Sequence, residues 1–199
     1  IGKVDSGIAT FSVYGLESAE RQSLPVPFAW PVRMANLKRC LLVSRIKIDG
    51  TDKEFVLVNL HLEAYDDGAG KIAQTRQLAE LLEAEAAKGN YVIAAGDFNQ
   101  IFSTADASLY PQQEGKWAAG VIDVTQIEGD WQFLMDGSVP TCRSLDRVYA
   151  GADKTGFQYY LIDGLIVSGN ITVESCKTLD LDFTASDHNP VRLEFKLDN

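Results

Sequence analysis

Five apolar residues, Tyr91-Val92-Ile93-Ala94-Ala95, run directly into Gly96-Asp97-Phe98-Asn99. The run reads as a buried strand, and it delivers an acid and an amide to the point where a sheet meets solvent. Side chains two apart on an extended segment point the same way, so Asp97 and Asn99 can address one small ligand together. Gly96 allows the backbone to bend or to approach another chain closely. An Asp-x-Asn after a strand also suits a capped turn, so the assignment turns on the rest of the chain.

Upstream, residues 40–48 and 54–62 form two strand-like runs around Asp49-Gly50, a short-range hairpin signal. The second run is nearly all apolar, as in a strand buried on both faces. Its polar interruptions are Asn59 and His61, again two apart. Residues 71–88 predict a helix whose apolar stripe is Ile72, Thr75, Leu78, Ala79, Leu82 and Ala86, with Gly89-Asn90 as its stop. Strand, helix and strand then form one crossover unit. Residues 7–14 alternate as a strand does. The stretch 100–146 loses any pattern beyond a short helix near 103–110 and a short strand at 121–124. Residues 157–167 read as a strand interrupted at Asp163-Gly164, residues 171–177 as another, and residues 191–195 as the closing strand.

The 199 residues form a single domain, 1–199, with no internal repeat, and 18 Lys and Arg against 28 Asp and Glu give a net charge of −10. That charge argues against nucleic acid held by a broad basic surface, but not against a local grip on a few phosphates. Cys40, Cys142 and Cys176 are widely spaced and odd in number, which predicts isolated buried or half-buried thiols and no disulfide framework. No apolar stretch reaches membrane-spanning length, and no signal-peptide pattern is present.

Two histidines occur, His61 inside the buried run and His188 in Ser186-Asp187-His188-Asn189-Pro190. Asp163 lies in an otherwise apolar strand, where a carboxylate is costly unless paired. A histidine is its natural partner. A Ser-His-Asp relay is disfavoured because Ser186, Asp187 and His188 are adjacent and no G-x-S-x-G elbow exists. No cysteine is close in sequence to either histidine, which leaves a thiol nucleophile without support. The remaining acid-rich, two-histidine set suits metal-assisted attack of water on a phosphate ester.

Asn59-Leu60-His61-Leu62, Gly96-Asp97-Phe98-Asn99, Ile162-Asp163-Gly164-Leu165 and Ser186-Asp187-His188-Asn189-Pro190-Val191 together resemble the ordered motifs of the endonuclease/exonuclease/phosphatase (DNase I-like) superfamily. Residues 7–12 resemble the strand that the family places before them. The resemblance implies an α/β (α+β) fold, a four-layer α-β-β-α sandwich of two mixed β-sheets with the site at one end. It implies a hydrolase of phosphodiesters or phosphomonoesters, on nucleic acid, phospholipid or sugar phosphate, with Mg2+ or Mn2+ as cofactor. His61 would contact the scissile phosphate or protonate the leaving oxygen. Asp97 would position or deprotonate the water, with Asn99 holding it and a phosphate oxygen. Asp163 would pair with His188, which would stabilise the phosphate charge or act as base, and Asp187 would reach the metal. Arg39 is a candidate phosphate contact, although a solvated or salt-bridged role is expected for Lys38, Arg39 and Arg143.

One departure from the family pattern bears on activity. Family members carry an upstream strand with an Asn and another with a metal-binding Glu, and Asp5, Glu17 and Glu20 occur in no matching context. The resemblance therefore also admits a non-catalytic module, or an inactive fragment, of the same fold. Sheet edges left open would favour dimerisation. Upstream residues would place the protein outside the cell or at a membrane in preference to the cytoplasm.

Overall fold

A computed structural model describes residues 6–66, 68–149 and 155–198. Twelve strands are seen among these residues: β1 (Ser18–Ser23), β2 (Cys40–Lys47), β3 (Glu54–His61), β4 (Tyr91–Asp97), β5 (Gln100–Phe102), β6 (Gly120–Ile122), β7 (Trp131–Leu134), β8 (Cys142–Arg143), β9 (Tyr159–Tyr160), β10 (Asp163–Ser168), β11 (Ile171–Thr178) and β12 (Val191–Leu197). The α-helices are α1 (Val32–Ala35) and α2 (Ala69–Ala86), and the short helix expected near 103–110 is a single 3-10 turn, Ala107–Leu109, with another at Val124–Gln126.

The main sheet has the order β1-β2-β3-β4-β10-β7. It is mixed: β3 and β4 run parallel, joined across the sheet by α2, and the other pairs are antiparallel. Alternation along each strand sorts its side chains to two faces. Val56, Val58, Leu60, Val92, Ala94 and Ile166 turn toward α2 and pack with Leu78 and Leu82. Phe55, Leu57, Tyr91, Ile93, Leu165 and Val167 turn the other way, onto the β11–β12 hairpin through Val173, Leu193 and Phe195. The result is a sandwich of two sheets with α2 on its outer face. Being buried on both sides explains why β3 and β4 carry almost no polar residues.

The expected helix is present, but its buried stripe is rotated. Ile72 is 63% exposed, and the inward positions are Gln74, Leu78, Ala79, Leu82 and Glu85. Polar residues are tolerated there because each is satisfied. Gln74 accepts from the Glu63 amide (2.9 Å) and donates to the Pro25 carbonyl (2.8 Å). Glu85 accepts from Arg45 (2.6 Å) and Asn90 (2.7 Å). The helix start is capped from outside it, by Asp66 accepting from the backbone amides of Gly68 and Lys71 at 3.1 and 3.2 Å.

Three other expectations are corrected. Residues 7–14 are not a strand: they alternate in sequence but find no partner ladder, and Phe11 and Val13 are 95% and 97% exposed. Asn59 still ties this segment down by donating to the Ala9 carbonyl (2.9 Å). The strand expected at 157–167 is two strands, β9 and β10, with the break at Leu161-Ile162 and with Asp163 opening the second. Strands β1, β7 and β8 lie where no periodicity was legible, because they are short or exposed on a face. Glu17 and Glu20 are exposed, and Asp5 lies outside the described residues.

Candidate active site

Strand register builds the centre of the site. Parallel pairing of β3 with β4 sets His61 opposite Asp97, and antiparallel pairing of β10 with β4 sets Asp163 opposite the same residue. Three polar residues, expected from separate motifs, thus form one row across the ends of three adjacent strands. Gly96 makes this register possible. Its φ is +146°, and a Cβ there would stand 2.0 Å from the Leu60 carbonyl oxygen.

The row continues into a fourth element. Before β12, the chain at His188 pairs with Cys142, so that the Arg143 amide donates to the Asp187 carbonyl (3.0 Å) and the Asn189 amide to the Thr141 carbonyl (2.8 Å). This holds the His188 ring against Asp163, with Nδ1 and Oδ2 2.8 Å apart. His188 Nε2 lies 3.9 Å and His61 Nε2 3.2 Å from Asp97 Oδ2, so Asp97 sits between the two imidazoles. Asn99, in a left-handed conformation (φ 51°), folds back on the acid. Its amide donates to Asp97 Oδ1 at 2.7 Å, and its side chain donates to the Leu62 carbonyl at 2.9 Å.

Electrostatics divide the labour between these groups. Burial raises the Asp97 carboxyl, and the neighbouring Asp163 charge adds to it, bringing it to about 7. Burial also lowers His61, helped by the Arg39 and His188 charges, to about 4, so this ring is neutral. Burial works against the charged form of His188 too, but the hydrogen bond to Asp163 prevails and raises it to about 11. The site therefore holds one neutral and one cationic imidazole on either side of a carboxyl.

These residues open into a cavity of about 430 Å³, which His61, Asp97, Asn99, Asp187 and His188 all line. Arg39 lines it as well, and it is buried (8% exposed), 3.9 Å from Glu63, where the sequence suggested a solvated or surface-paired residue. Arg143 is half-buried and lies over the Tyr149 ring, 4.5 Å from its centre, which also departs from a solvated role. Tyr65 and Trp117 form one wall and were not singled out by any motif.

Sequence reading also missed Cys142. Its sulfur, a carboxylate oxygen of Asp187 and a ring nitrogen of His188 all lie within 4.8 Å of one another. The chain thus does bring a thiol to a histidine, although none is near in sequence. Burial raises this thiol above its usual range, the opposite of an activated nucleophile, so thiol catalysis stays disfavoured. The three cysteines are free, as expected.

The two-sheet sandwich has the DNase I-like fold of the endonuclease/exonuclease/phosphatase proteins. Solved structures bear this out. An endonuclease/exonuclease/phosphatase from Beutenbergia cavernae DSM 12333 superimposes with a TM-score of 0.60 at 15% identity, over 93% of this chain and 46% of that one. D. rerio TDP2, complexed with a single-strand DNA product, gives 0.59 at 16% identity, over 91% and 68%. ANGEL2, a 2',3'-cyclic phosphatase in complex with adenosine-2',3'-vanadate, gives 0.59 at 15%, over 94% and 68%. The chain thus spans between 46% and 68% of the length of these three. No protein-family model matches the sequence, and no curated protein matches it by sequence.

Proposed function

We propose that this chain hydrolyses a phosphodiester or phosphomonoester by attack of an activated water, with a divalent cation as cofactor. The observation that carries the reading is the row His61–Asp97–Asp163, closed by the Asp163–His188 hydrogen bond of 2.8 Å. Burying two carboxylates opposite each other is costly, and the cost is offset when His188 is cationic between them. A phosphoryl group entering the cavity would meet that charge, the neutral N–H of His61 and the Arg39 guanidinium. Asp97, oriented by Asn99, is placed to align and deprotonate water. Donors preset where charge develops stabilise the transition state without reorganising.

The donor set fits a hard cation. Asp97, Asn99 and Asp187 put oxygen donors on one cavity, as such an ion prefers. Asp187 would hold Mg2+ or Mn2+, with Asp97 and Asn99 lining the same cavity. When bound, such an ion supplies charge neutralisation at the phosphate and a more acidic water.

Phosphate-ester substrates of the neighbours, including DNA for TDP2, support the class of reaction. The net charge of −10 favours a small or locally gripped substrate over long nucleic acid. Purified protein is expected to hydrolyse bis(p-nitrophenyl) phosphate or p-nitrophenyl phosphate with Mg2+ or Mn2+, and EDTA is expected to stop it. A chain that binds the cation yet hydrolyses neither ester, nor DNA, phospholipid or sugar phosphates, would be the non-catalytic module instead.

A further inference from the structure

We propose that Cys142, Asp187 and His188 form a thiolate-containing site for a soft divalent cation, Zn2+, whose occupation shuts the phosphoesterase centre. The three ligand atoms already lie within 4.8 Å of one another. A tetrahedral zinc with bonds of about 2.0–2.3 Å spaces its ligand atoms roughly 3.3–3.7 Å apart, so closure draws them together by an ångström or so at most. The backbone is set in advance, because Cys142 and His188 face each other in an isolated bridge and Arg143 and Asp187 are hydrogen-bonded beside them.

Two further observations point to a metal. Metal-binding histidines characteristically hold a carboxylate on the other ring nitrogen, which fixes the ring and makes it a better donor. Asp163 already holds His188 in this way, at 2.8 Å. The Cys142 sulfur lies within 4.8 Å of a ring nitrogen of the same histidine, and its contact to the Arg143 carbonyl, 3.4 Å, is weak and easily given up. All three ligands line the 430 Å³ cavity, which gives the ion access from solvent and leaves a fourth position for water.

Ligand chemistry then selects the ion. Thiolate, imidazole and carboxylate suit zinc, whereas Mg2+ and Mn2+ prefer oxygen donors and gain little from sulfur. Zinc would displace the thiol proton and one ring proton of the cationic His188, both released to solvent, and would neutralise the thiolate and the carboxylate. It would also withdraw His188 and Asp187 from the phosphate centre. That inhibitory consequence rests on the phosphoesterase reading. The cation site itself does not.

The purified chain, stripped with EDTA, is titrated with Zn2+ by calorimetry and with Co2+ followed by absorption. One equivalent of Zn2+ is expected to bind, and Co2+ is expected to give a thiolate-to-cobalt charge-transfer band. Cys142→Ser should lose the band and weaken Zn2+ binding by roughly tenfold or more, while Cys40→Ser and Cys176→Ser keep both. Asp187→Asn should weaken Zn2+ binding to a similar extent, which keeps the test open if Cys142→Ser fails to fold. Absence of the band in the unmodified chain, or its persistence in folded Cys142→Ser, would overturn the site. In hydrolysis assays with Mg2+, Zn2+ should inhibit the unmodified chain and not Cys142→Ser. A chain inert toward phosphate esters that still gives the cobalt band would sink the phosphoesterase reading and leave the zinc site standing.

Discussion

Asp163 and His188 are joined side chain to side chain, Oδ2 to Nδ1, at 2.8 Å, although 24 residues of chain, including the rest of β10 and all of β11, lie between them. The contact orients the ring and raises its pKa to about 11, so in the proposed reaction Asp163 would act through His188 as a positioning residue. Asp163→Asn should lower kcat by roughly two to three orders of magnitude, within the range for one acid–base or electrostatic group. The His188 ring should also titrate at lower pH, as read by NMR of the imidazole. Unchanged titration of His188 would show that the pairing does not set its charge.

Asp97 is flanked by both imidazoles and held by the Asn99 amide. Asp97→Asn keeps the shape and removes the base, so kcat should fall by roughly two to four orders of magnitude. Circular dichroism should stay native. A variant with near-full activity would remove Asp97 from the chemistry.

Asp187 is expected to hold the hard cation. Asp187→Asn should raise the Mg2+ concentration for half-maximal hydrolysis by about tenfold or more, by analogy with lost metal-site contacts. A Mg2+ dependence identical to that of the parent chain would assign the ion to other residues.

Gly96 is where β4 approaches β3 too closely for a side chain. A Cβ would stand 2.0 Å from the Leu60 oxygen, at a φ of +146°. Gly96→Ala should destabilise the fold by on the order of 3 kcal/mol, measured by urea unfolding. Any hydrolysis that survives should drop too, because the pairing that places His61 against Asp97 runs through this point.

Glu85 is a buried acid far from the cavity, bound by Arg45, Lys88 and Asn90. Burial opposes its ionisation, but the bond from Arg45 prevails, with those of Lys88 and Asn90, and lowers it from 4.5 to about 2. A depressed carboxyl stabilises the fold above its unfolded value and loses that contribution as pH falls from 4.5 through about 2. Glu85→Gln should cost about 2 kcal/mol at pH 7, below the figure for fully buried pairs because Arg45 is partly exposed and keeps Glu54. The difference between parent and variant should shrink across that acidic window. A constant difference from pH 7 down to pH 2.5 would show that the charge is not what matters.

Much of this was legible in the chain alone. Apolar runs at 54–62 and 91–95 read as buried strands, and the helix between them as a crossover joining the two. Polar residues that interrupt such strands, His61, Asp97 and Asp163, announced themselves because burying them is expensive without a partner. That cost called for a histidine beside Asp163, and the resemblance of the motifs singled out His188 as the partner. The alternation at 7–14 misled, because a period of two states only that a segment could pair, and a ladder needs a neighbour that tertiary structure must supply.

Local sequence determined the long apolar strands and which of their side chains are out of place. Only the tertiary structure decided the register that lines up His61, Asp97 and Asp163, the burial of Arg39, and the meeting of Cys142 with His188. Those depend on contacts between residues far apart in the chain, and the free energy of such contacts leaves no periodicity in the segments that make them.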